Sequence, residues 1–246
     1  NKNSTIKLTN QETSREHYIV LSGNIKIENI TFEQLIPTTK TIGLINCSNG
    51  VLRNCKTRLG DNLTSGSELD LYSNNQNILI DNCIFDFKSY RDGNNGTGGI
   101  WVREHDSTKI TKNITFNNCY ISHYSSDECL AIWDWNGLVE NVQINNCKLE
   151  GKENNPSAHF TRFSAKNSSM NNCIFINKPG VQKASIIHNG SNDSEIVYVN
   201  NCLFDLDITL LNGVTDTQRI KLNNCTINNA QLTKFSDCDI KNSVIN

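Results

Sequence analysis

No run of basic residues with interleaved aromatics occurs anywhere in these 246 residues, and the formal net charge is −2. Clustered positive charge is what a phosphate backbone or an anionic membrane attracts, so neither nucleic acid nor membrane is expected as a partner. No apolar stretch approaches the roughly 20 residues that span a bilayer, and membrane insertion is not expected either. Metal-ligand spacing is missing too: the ten Cys and five His include no CxxC and no HxxxH pair, so no metal and no other cofactor is expected. Proline and methionine are scarce, at three and one. The chain lacks an initiator Met and a signal-like segment. Its first residues, NKNSTIKLTNQETSREH, read as a strand entering in mid-pattern, and the expectation is a domain cut from a longer protein.

What the chain does have is a repeat. NVQINNC, residues 141–147, recurs in near-copies that align on nine positions: Ile30, Cys55, Cys83, Cys119, Cys147, Cys173, Cys202, Cys225 and Ser243. The residue before each is Asn: Asn29, Asn54, Asn82, Asn118, Asn146, Asn172, Asn201, Asn224 and Asn242. Apolar residues stand three before the aligned position (Ile80, Phe116, Ile144) and two after it (Phe85, Ile121, Leu149). Alternation on either side describes two short strands, and the break in period between them calls for a corner. Asn is the residue other than Gly that best tolerates the left-handed backbone such a corner needs.

Between successive copies lies a third strand, in YIVL (18–21), TIGLIN (41–46), ELDLY (68–72), GIWVRE (99–104), CLAIW (129–133), AHFTRF (158–163), SIIH (185–188) and ITLL (208–211). Strand, Asn corner, strand and a third strand, mostly 23 to 29 residues apart, predict an all-β fold: a right-handed, single-stranded parallel β-helix, a solenoid of about nine coils with three strands per coil. Residues 1–246 read as one such domain. The interval from Cys83 to Cys119 widens to 36 residues, the excess being the loop FKSYRDGNNGTGG (87–99), and extruded loops are where solenoids carry function. Toward the C-terminus the repeats shorten to 23 and then 18 residues, as if the end frays or continues into a further segment.

Seven Cys at one inward position read as core filler, since a buried thiol behaves as a small hydrophobe. A disulfide frame is the alternative. Buried thiols suit folding in a reducing cytoplasm, and an extracellular or virion-borne product would then leave the cell by lysis or a nonclassical route.

All three Trp, Trp101, Trp133 and Trp135, fall on two consecutive coils with Arg103, Glu104, His105, Asp127, Glu128 and Asp134. His159 and Arg162 lie on the next coil, Asp70 and Tyr72 on the one before. If Leu69, Leu71, Ile100, Val102, Leu130 and Ile132 point inward, then Asp70, Tyr72, Trp101, Arg103, Ala131 and Trp133 point out, with coils about 4.8 Å apart. Such a face suits a sugar polymer: aromatic planes stack on pyranose rings, Arg and Asp bond hydroxyls, and paired carboxylates serve acid/base chemistry. The alternative is an ordinary solvated surface, or one covered by a loop or a second subunit.

SSDECLAIW (125–133) resembles the "DDCIAI" segment of polygalacturonase-type members of the pectin-lyase-like β-helix superfamily. Asp127 and Glu128 match the acid pair, and Cys129, Leu130, Ala131 and Ile132 match the strand. Where that family has Asn-Thr-Asp on the preceding coil and Gly-His-Gly on the following one, this chain has Gly96-Thr97-Gly98-Gly99 and Ser157-Ala158-His159, and the later Arg-Ile-Lys is missing. The resemblance implies the fold over nearly the whole chain and one acid pair. In style the Asn-rich coils also resemble phage tailspike and tail-appendage domains, which implies a bacterial surface polysaccharide as partner, a homotrimer, and a virion-tail or extracellular location.

The leading expectation is a polysaccharide depolymerase or recognition domain, acting as a glycoside hydrolase through Asp127, Glu128, Asp134 and Glu104. Trp101, Trp133 and Trp135 are its sugar platforms, and Arg103, His105, His159, Arg162, Asp70 and Tyr72 are further binding residues. A polysaccharide lyase using Arg103, His105, His159 or Arg162 as base, and a non-catalytic glycan-binding adhesin or structural spike, are the alternatives.

Overall fold

The computed structural model describes residues 4–8, 19–34, 40–59, 67–87, 99–104, 106–123, 129–133, 138–151, 161–177, 184–188, 196–206, 209–213, 219–233 and 237–246. Among them every named element is a β-strand, and every strand pairing is parallel. The architecture is all-β and consistent with a parallel β-solenoid.

Two sheets follow from the corner the Asn residues make. The strands after the corner, such as Ile84–Phe87, Tyr120–His123, Lys148–Gly151 and Ile174–Asn177, stack in a ten-stranded sheet. The strands before it, such as Gln76–Asp81, Thr111–Asn117 and Val139–Asn145, form one arm of a sixteen-stranded sheet. The other arm holds the third strands, Ser67–Tyr72, Ile100–Arg103, Leu130–Trp133, Thr161–Ser164, Ala184–His188, Thr209–Gly213 and Ala230–Thr233. The arms meet in Lys40–Arg53, which with its partner Ile19–Glu28 runs through both. Here the predicted separate strands are continuous: pairing with Ile19–Glu28 runs from Ile42 to Arg53, with a register shift between Leu44 and Asn49 where Asn46 has φ 54°.

All nine aligned Asn residues have positive φ, between 50° and 60°. Their side chains bond along the stack: Asn82 Nδ2 donates to Asn54 Oδ1 at 2.7 Å, Asn172 to Asn146 at 3.2 Å and Asn201 to Asn172 at 3.1 Å. Asp81 interrupts that ladder, its carboxylate accepting from Arg53 Nε at 3.1 Å, Asn117 Nδ2 at 2.9 Å and Asn118 Nδ2 at 3.4 Å. A second left-handed column was not foreseen. Asn77, Asn113, Asn141 and Asn167 have φ between 54° and 57°, and Asn141 Nδ2 donates to Asn113 Oδ1 at 2.7 Å. Asn141 is the first residue of NVQINNC, so the signal stood in the repeat itself.

The seven aligned Cys are buried, and all ten Cys are thiols without disulfides. Each aligned Sγ donates to the carbonyl two residues earlier, as Cys147 does to Asn145 O at 3.2 Å, so the thiol also ties off the corner's backbone. Ser243 keeps this bond with its hydroxyl, to Lys241 O at 2.9 Å. The core runs along the stack as columns of Ile, Leu, Val and Phe, with Phe175 and Phe204 stacked at 4.6 Å between ring centres. Burying such side chains on successive rungs supplies most of the drive to stack, since no single coil can bury its apolar face alone.

Candidate functional site

Four neighbouring third strands carry the site. Leu69, Ile100, Leu130 and Thr161 align in one inward column, and Leu71, Val102, Ile132 and Phe163 in another. All eight are fully buried. The positions between them form two outer columns: Asp70, Trp101, Ala131 and Arg162 in the first, Tyr72, Arg103, Trp133 and Ser164 in the second. The register thus brings Asp70, Tyr72, Trp101, Arg103, Trp133 and Arg162 together. Of Trp133 and Arg162 the description covers the backbone. Asp127, Glu128, Asp134, Trp135, His105 and His159 lie outside the described residues, as does most of the 87–99 loop.

Where side chains are described, the face is closed on itself rather than laid open. Asp70 has no exposed surface, and Arg103 keeps 12% of its side chain exposed. Arg103 is the diagonal neighbour of Asp70, one strand across and two residues on, close enough for a long side chain to return. Its Nε donates to Oδ1 at 3.0 Å and its Nη2 to Oδ2 at 2.7 Å. This fork-to-fork pairing matches the planar guanidinium to the carboxylate. The same guanidinium carbon lies 5.0 Å from the Tyr72 ring centre and 4.8 Å from that of Trp101, both within cation–π range. Ala131, beside Trp101 on the next strand, is also fully buried.

Glu104 directly follows the Ile100–Arg103 strand and is 1% exposed. Its Oε2 accepts from the Asn74 N–H at 2.6 Å and the Thr111 hydroxyl at 3.2 Å, and its Oε1 from the Asp106 N–H at 3.0 Å. Asn75 completes the network: its N–H donates to Thr111 Oγ1 at 3.2 Å and its Nδ2 to Leu44 O at 2.8 Å, while its Oδ1 accepts from the Cys47 N–H at 3.2 Å. Glu104 therefore holds the turn that follows the strand. On the surface of that turn, the Thr108 hydroxyl and the Lys109 ammonium hold the Asp106 carboxyl well below the usual carboxylate range.

Of the residues the sequence singled out, Asp70, Tyr72, Trp101 and Arg103 share adjacent register positions, and the carboxylates of Asp70 and Glu104 are both held by hydrogen bonds within the protein. The signal for the Asp70–Arg103 pair was the register itself, which sets the two on a diagonal. The Glu104 network draws on Asn74, Asn75 and Thr111, none of which the aromatic and charge clustering marked. Tyr72 and Trp101 are both half-buried beside this ion pair, whose charges cancel, and the acids of 127–128 and 134 flank the Leu130–Trp133 strand along the chain. No protein-family model, no curated protein and no solved structure matches the chain.

Proposed function

We propose that this chain is a glycan-recognition domain built as a right-handed, single-stranded parallel β-helix of the pectin-lyase-like kind, with about nine coils of three strands. It acts on a bacterial surface polysaccharide, in the manner of phage tail appendages, as part of a homotrimer on the virion tail or outside the cell. Glycoside hydrolysis is assigned to Asp127, Glu128 and Asp134. The observation that carries this reading is the composite of Asp70, Tyr72, Trp101 and Arg103, whose aromatic planes are backed by a matched ion pair beside the strand that the acids flank. Aromatic faces held this way suit the apolar face of a pyranose.

In this scheme one carboxyl protonates the departing glycosidic oxygen, and the other either attacks the anomeric carbon or activates water. A separation of about 5–5.5 Å gives retention and about 6.5–9.5 Å inversion. A release assay on purified bacterial capsules tests the assignment, with wild type beside Asp127→Asn and Glu128→Gln. New reducing ends from wild type alone are expected, and full activity in both variants removes these acids from the reaction.

A non-catalytic adhesin is the second reading, favoured by the fact that Asp70 and Glu104, the described acids among the candidate site residues, are both occupied by internal hydrogen bonds. Binding without release of reducing ends across the same panel selects it.

A further inference from the structure

We propose that Asp70 is a positioning residue that acts through Arg103 to fix the Trp101 ring as a sugar platform, an inference that rests on the glycan reading above. Asp70 has no exposed surface, so its carboxylate is out of reach of any polymer lying on this face. What it does reach is Arg103, at two points, 3.0 and 2.7 Å. A guanidinium held at both Nε and Nη2 has its plane set by the carboxylate, because the two donors and two acceptors must be coplanar to bond together.

That fixed plane is the surface against which Trp101 lies, at 4.8 Å, with Tyr72 at 5.0 Å. Lys could supply the charge but neither the fork nor the flat face. A ring already in place loses little conformational freedom when a pyranose stacks on it, so a platform braced by a fixed guanidinium binds more tightly than a free indole. The chain of dependence is ordered: Asp70 orients Arg103, Arg103 supports Trp101, and Trp101 meets the sugar. Nothing in it requires Asp70 to touch the ligand.

The experiment has two independent readouts. In a Trp133→Phe/Trp135→Phe background labelled with 5-fluorotryptophan, the fluorine resonance reports Trp101 alone, with no glycan present. In the otherwise unmodified chain, dissociation constants are measured for a bacterial surface polysaccharide that wild type selects from a panel. The expected result is a sharp resonance in wild type, shifted and broadened in Asp70→Asn and in Arg103→Lys. Affinity should fall about tenfold in each and recover in part in Asp70→Glu. Combining Asp70→Asn with Trp101→Ala should weaken binding no further than Trp101→Ala alone. Should Asp70→Asn fail to fold, Arg103→Lys carries both readouts.

An unchanged fluorine resonance overturns the positioning role whether or not any glycan binds. So does wild-type affinity in a variant whose resonance has moved, or an Asp70→Asn loss that adds in full to that of Trp101→Ala. Wild type that binds no member of the panel overturns the glycan reading instead, and the role of Trp101 as a sugar platform with it.

Discussion

Arg103 reaches back across one rung to Asp70 and grips its carboxylate with Nε and Nη2, although Asp70 has no surface exposed to solvent. Two charges taken out of water stabilise a fold only while both are present. Asp70→Ala alone removes the carboxylate that Arg103 grips and should cost about 3 kcal/mol of unfolding free energy. The double variant Asp70→Ala/Arg103→Met should recover most of that loss. Urea denaturation of the four species in a double-mutant cycle checks it.

Glu104 is predicted to be a stability residue. Its carboxylate accepts from two backbone N–H groups and the Thr111 hydroxyl in a buried setting. Glu104→Ala leaves those donors without an acceptor and should destabilise the chain by about 3 kcal/mol, whereas Glu104→Gln retains an acceptor and should cost less. Equal melting temperatures for Glu104→Ala and wild type would contradict this.

The corners give a prediction in which glycine outperforms alanine. Asn146 sits at φ 54°, a conformation that costs an ordinary L-residue about 1–2 kcal/mol. Asn146→Ala should therefore be destabilising by about that amount, and Asn146→Gly by less, since it loses the ladder hydrogen bonds but relieves the backbone. Chemical denaturation midpoints of the two variants give the order directly.

Burial pushes the Cys129 thiol above its ordinary value of 9.0, which sets a pH dependence of definite sign. The folded state keeps the proton where the unfolded state releases it, so stability holds below pH 9 and falls as pH rises above it. Between pH 8 and 10 wild type should lose more stability than Cys129→Ala, which has no thiol to ionise. Urea titrations at the two pH values measure the difference.

Much of the fold could be read from the sequence because each rung repeats the same solution. The Asn before each aligned position predicted the left-handed corner, and the apolar residues three before and two after it predicted the buried columns. The Asn141 column was missed because a kink inside a strand leaves the alternation around it almost intact. TIGLIN and the strand before Asn54 were read as separate, whereas they run on as Lys40–Arg53, pairing with Ile19–Glu28 on both sides of a register shift around Asn46. At the site, alternation groups Asp70, Trp101 and Ala131 in one column and Tyr72, Arg103 and Trp133 in the next, as the strand register does. It could not tell that Asp70 is covered, because a side chain on the outward side of a strand is buried or open according to what its neighbours lay over it. That depends on the diagonal reach of Arg103, a property of three-dimensional register rather than of spacing along the chain.

The measurement that tests the central claim most directly is polysaccharide binding by wild type and Trp101→Ala, across a panel of purified bacterial capsules and surface glycans. The account predicts that wild type retains at least one of them and that Trp101→Ala binds the same polymer at least tenfold more weakly while keeping its fold. Equal binding by the two proteins would contradict it.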